Sequence, residues 1–166
     1  MRNGMSHWTS ATRKSRVGLA VAALIACALP GAALAQQEGG LYIAGYRFSF
    51  ERAAEQALAK NPAGQRFFVL ALPPNTVALT TAASSSAAAV RERVVAAGGM
   101  LFACQRDIDN GTVDAAMLVP GVVAVRGFPP RASDAIPRGE RYYADEDRNV
   151  LPKNNRTLKR LRKACT

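Results

Sequence analysis

Two uninterrupted apolar runs, Phe67-Phe68-Val69-Leu70-Ala71-Leu72 and Met100-Leu101-Phe102-Ala103, limit this chain more than any other feature. A strand with one wet face alternates apolar and polar residues, so a run without a polar member has to be covered on both faces. The segments before the first run and between the two have helical spacing. Ser49 can cap a helix over 50–60, with Phe50, Ala53, Ala54, Ala57 and Leu58 on one side, and Asn61-Pro62-Ala63-Gly64 stops it. A second helix is expected over 87–97 after Ser84-Ser85-Ser86, with Val90 and Val94 inward and one glycine of Gly98-Gly99 in a left-handed cap. Leu41 to Tyr46 and Val122 to Val125 are two more strand candidates; Thr112 can cap a short helix through Met117; Val77 to Ala83 is extended chain or loop. Strand and helix alternate. That pattern predicts an α/β fold, a small three-layer sandwich with a four- to five-stranded, mostly parallel sheet. A basic helical tail over 155–164 follows, with Leu158 and Leu161 on one side.

The first 35 residues have the pattern of a secretory signal peptide. Arg2, Arg13, Lys14 and Arg16 precede the apolar run Val17 to Leu29; Pro30-Gly31 breaks it, and Ala33-Leu34-Ala35 suits signal peptidase. The run is 13 residues long, short of the roughly 20 a membrane-crossing helix needs. A soluble periplasmic product beginning near Gln36 is expected. Leu24-Ile25-Ala26-Cys27 offers the alternative of a lipoprotein anchored through Cys27. The expected organisation is a signal peptide over 1–35, an α/β domain over 36–128, a Pro- and Arg-rich linker over 129–152 and a basic helix over 153–166.

Removing the signal takes away the chain's one histidine, His7. Without an imidazole, the mature chain has no base for a Ser-His-Asp or Cys-His arrangement. Two cysteines and no histidine make a zinc site implausible, no other metal is expected, and nothing in the residues asks for a cofactor. The signal holds four of the 22 basic residues; the last 16 residues hold six (Lys153, Arg156, Lys159, Arg160, Arg162 and Lys163) and no acid. Residues 36–150 balance at 12 basic and 12 acidic. The charge therefore lies in one tail, which could touch an anionic membrane surface or an acidic partner, while nucleic-acid binding by a basic face is disfavoured.

Cys104 stands at the carboxyl end of an expected central strand, where ligands bind in open α/β sheets. The stretch Gly98-Gly99-Met100-Leu101-Phe102-Ala103-Cys104, followed by Leu118-Val119-Pro120-Gly121-Val122, resembles the DsrE/DsrF-like sulfur-relay family. The resemblance spans about Leu41 to Gly127 and is specific over 98–125. It implies an α/β sandwich that often oligomerises, with Cys104 where some members carry persulfide sulfur. The run Arg66 to Pro74, with Ala97 to Leu101, also resembles pilus-assembly proteins of conjugation and secretion systems.

Three fates remain open for Cys104. It can pair with Cys165, as exported proteins usually pair their cysteines; it can be a reactive, sulfur-carrying thiol favoured by Arg106; or both thiols can be inert. Ser84, Ser85 and Ser86 at a helix start, with Arg106, form a candidate anion site, although such serines more often only cap. Tyr46-Arg47 can line a pocket or lie in a solvated loop. The leading expectation is a non-enzymatic exported module that assembles with itself or with an envelope protein. A thiol-transfer protein using Cys104 is the alternative, and binding of an anionic surface or nucleic acid through the tail is the next.

Overall fold

In the computed structural model, residues 38–62, 64–130 and 139–166 are described; the signal peptide, Cys27 and the cleavage site lie outside them. Four strands, β1 (Leu41–Ala44), β2 (Phe67–Ala71), β3 (Gly99–Cys104) and β4 (Val122–Val125), form one sheet in the order β1-β2-β3-β4. Every pairing is parallel, with Leu41 beside Phe68, Phe67 beside Gly99 and Leu101 beside Val122. Among the described residues the sheet has four strands and no antiparallel member, at the lower and purer end of the expectation.

Both faces of β2 and β3 are covered, as their composition requires. Phe67, Val69, Ala71, Leu101 and Ala103 point into one core with α1 (Phe50–Lys60) and α2 (Ser85–Ala96). Phe68, Leu70, Phe102 and Cys104 point into a second core. That second core is closed by the chain's end. Leu161 of the C-terminal helix, Leu151 and Cys165 are all at least 95% buried there, and Leu158 packs at the margin. The helix expected over 155–164 forms over those residues, capped by Asn154, whose side-chain oxygen accepts from the N–H groups of Arg156 and Thr157. It is the third layer of the sandwich rather than an appendage.

The boundaries at 128 and 152 need correcting for the same reason. The described residues from 38 to 166 belong to one compact unit. Within the stretch read as a linker, Tyr143 donates from its hydroxyl to Gly127 O at 2.9 Å, and Leu151 is 4% exposed in the second core.

Local sequence explains most remaining differences. Ser84 caps α2 through Ala87 N–H, so the helix starts two residues before Ala87. Gly98 ends that region at φ +84°, the left-handed conformation expected of one of the two glycines. Residues 77–83 divide between a 3-10 turn, Asn75–Leu79, and a bridge from Thr80 to Leu118. Asp114 displaces Thr112 as a cap, because its carboxylate accepts from Ala116 N–H, and only a 3-10 turn, Ala115–Met117, follows. β1 ends at Ala44 because the chain reverses at Gly45–Phe48, a turn that Asn75 holds by donating to Gly45 O at 3.0 Å and accepting from Phe50 N–H at 3.0 Å.

Candidate functional site

The carboxyl end of β3 and the end of the C-terminal helix meet. Cys104, fully buried at the end of β3, is joined by a disulfide to Cys165, with Cα atoms 5.1 Å apart. Of the three fates left open for Cys104, the structure has the pairing. A disulfide sulfur is no nucleophile until reduced, so neither a reactive Cys104 nor a pair of inert thiols describes this state. Gly127 is needed at this junction, since a Cβ there would collide with the main chain of Cys165.

Past the disulfide, α3 (Gln105–Asp109) leaves the sheet. Arg106 donates from Nε to Asp107 Oδ1 at 3.1 Å and from Nη1 to the main-chain oxygen of Thr166 at 2.8 Å. It ties the helix end to the strand end. Asp107 is 3% exposed, and its Oδ2 has no hydrogen-bond partner among the described residues.

A second tie lies beside β4. Glu146 and Arg162 form an ion pair, Nη2 to Oε2 at 2.8 Å, with side chains only 7% and 10% exposed. Arg162 also donates to Arg126 O at 2.9 Å, and Glu146 Oε1 accepts from Arg126 N–H at 2.8 Å. The guanidinium of Arg162 stacks 3.6 Å from the Tyr143 ring centre. Burial pushes the Tyr143 hydroxyl above its ordinary pKa of 10.0, against the opposing pull of Arg162. Arg126 donates to Tyr142 O and pairs with Asp145, and Tyr142 meets Tyr143 edge-on at 4.9 Å. The acidic and aromatic stretch from Tyr142 to Asp147 is thus the clasp between β4 and the terminal helix, with α4 (Gly139–Tyr142) leading into it and the C-terminal helix (α5, Asn155–Ala164) on its other side.

A cleft of about 400 Å³ beside the disulfide is lined by Gln105, Arg106, Asp109, Asn110, Arg126 and Tyr142, among others. Its two arginines are already engaged with Asp107, Thr166, Tyr142 and Asp145. The sheet also lacks what makes a ligand crevice in open α/β folds. There the crevice opens where strand order reverses, and an order of β1-β2-β3-β4 never reverses.

The other candidates separate. Ser84 caps α2, its hydroxyl lies 3.1 Å from that of Ser86, and Ser86 Oγ sits 3.5 Å from the carboxylate of Glu51. An acid beside the serines, and an Arg106 committed elsewhere, leave Ser84, Ser85, Ser86 and Arg106 without a common anion site. Tyr46, 96% exposed, and Arg47 lie in the solvated turn after β1. Of the six tail cations, Arg162 is removed from any surface role by its burial on Glu146. Lys153, Arg156, Lys159, Arg160 and Lys163 are all exposed.

The Glu146–Arg162 pair is the feature that sequence reasoning missed. A signal for one half was present: Arg162 follows Leu158 by four residues, which puts it on the same side of the helix as that apolar residue. No family model matches this chain, and no curated protein matches it.

Proposed function

We propose that this chain is an exported, non-enzymatic binding or assembly module of the bacterial cell envelope, a DsrE-like domain that works with itself or with an envelope protein. One observation carries the reading: the cysteine best placed for thiol chemistry is buried and covalently closed on Cys165. The mature chain has no histidine to serve as a base. A secretory signal and a disulfide belong to the same oxidising compartment. The pairing ties the terminal helix into the domain, and such a staple suits a rigid presenting scaffold better than a carrier that must load and unload sulfur. An accessory role in a conjugation or secretion system is the setting that the Arg66 to Pro74 resemblance suggests.

Loading with sulfane sulfur tests the reading against a sulfur-relay role. Residues 36–166, incubated with inorganic polysulfide and desalted, are expected to release no sulfane sulfur above the blank on cyanolysis. About one equivalent per chain, lost in Cys104→Ser, would assign the protein to sulfur transfer instead.

A further inference from the structure

α5 has two chemically distinct faces. Leu158 and Leu161 sit on the sheet, and Arg162 is buried on Glu146. The opposite face carries Arg156, Lys159, Arg160 and Lys163, with Lys153 just before the cap, and all five are exposed. Among the described residues none of the five is in an ion pair. The acid nearest in the hydrogen-bond network, Glu38, is occupied by the main-chain N–H groups of Lys153 and Asn154, both at 2.9 Å.

This arrangement works against the helix that bears it. Arg156 and Arg160, and Lys159 and Lys163, are like charges at i and i+4, which oppose helix formation. Arg156 also places a cation in the first turn, where the helix dipole favours an anion, and that turn has no acid. The Asn154 cap, the apolar face and the Cys104–Cys165 bond hold α5 in place despite this repulsion. An anionic surface laid along the outer face would relieve it.

We infer that the outer face of α5 docks the protein on an anionic lipid surface through headgroup phosphates. From Arg156 to Lys163 the helix rises about 10 Å, and these cations with Lys159, Arg160 and Asn155 border a shallow depression of about 350 Å³. A single convex helix meets a plane along its length. Strand-tracking nucleic-acid sites instead use a groove with aromatic platforms, and α5 carries no aromatic residue. The 12 cations of residues 36–150 are matched by 12 acids, so the excess positive charge after residue 35 lies in the tail. The apolar side chains of α5 are spent on the sheet, and among the described residues no helix is long and apolar enough to cross a membrane. The contact is therefore adsorption by charge, sensitive to salt.

The inference rests on the binding-module reading, but the two fail separately: sulfane loading sinks the module, whereas the vesicle assay sinks only this partner. Residues 36–166 are mixed with vesicles of phosphatidylglycerol and phosphatidylcholine, or of phosphatidylcholine alone, and sedimented at low and high salt. Binding is expected only to the anionic vesicles and is lost at high salt. Lys159→Gln with Arg160→Gln should weaken it about 25-fold, at about fivefold per cation. Arg47→Gln with Lys60→Gln, which removes the same charge from exposed positions elsewhere, should leave it unchanged. Equal binding to neutral vesicles, equal loss in the control variant, or stronger binding to a short DNA duplex than to the vesicles would each overturn the proposal.

Discussion

Replacing Cys165 by serine is expected to lower the free energy of unfolding by about 4 kcal/mol. The bond joins residues 61 positions apart, so breaking it returns a long loop's worth of freedom to the unfolded chain. The folded state loses as well, because Cys104 and Cys165 belong to the core on which Leu151 and Leu161 pack. Once the bond is gone, α5 is held only by non-covalent contacts, chiefly Leu158, Leu161, the Arg162 clasp and the Arg106–Thr166 hydrogen bond, against the repulsion among its own cations. Urea titrations of oxidised, reduced and Cys165→Ser protein check this. The reduced and variant proteins should unfold at a common, lower midpoint. Reduction that leaves the midpoint where it was would mean that the bond is peripheral to the fold.

Glu146→Ala is expected to cost about 3–5 kcal/mol, the loss typical of breaking one partner of a buried ion pair. The change leaves the guanidinium of Arg162, 10% exposed, without its counter-charge, and removes the acceptor of Arg126 N–H. A double variant, Glu146→Leu with Arg162→Met, separates the two losses. Removing both charges should recover most of the stability, because well-packed apolar replacements of buried pairs are often near neutral. It should not recover all of it, because Arg126 N–H and Arg126 O would lose these partners, and each such group costs up to about 1–3 kcal/mol where water cannot replace the partner. Equilibrium denaturation of the two single variants and the double gives the coupling directly. Against this, an exposed pair such as Arg93–Glu55, with side chains 58% and 48% exposed, contributes little.

The layers were legible in the sequence for a simple reason. Runs such as Phe67 to Leu72 cannot be half wet, and the spacing of Phe50, Ala53, Ala54 and Ala57 has only one helical reading. The ends of the elements depended on local competition that a single sequence conceals: Asp114 over Thr112 as a cap, and Asn75 reaching back to the Gly45 turn 30 positions away. Covering the second face of the sheet was harder to foresee. Leu158 and Leu161 are only two apolar residues among many cations, and their pull toward the sheet becomes decisive only with the disulfide and with Arg162 turned inward. The cysteine pairing itself was open, since Cys104 and Cys165 can pair or stay apart. The five outward cations were visible from the start, but which of the six lay inside depended on the partner, Glu146, in a segment that looked like linker.

The Cys104–Cys165 bond makes α5 part of the domain, and the proposed role as a presenting module rather than a thiol reagent depends on that bond. Titrating free thiols in residues 36–166, first native and then fully denatured without reductant, tests it most directly. No free thiol is expected in either state, and two only after reduction. A Cys104 that alkylates rapidly in the native, unreduced protein would contradict it.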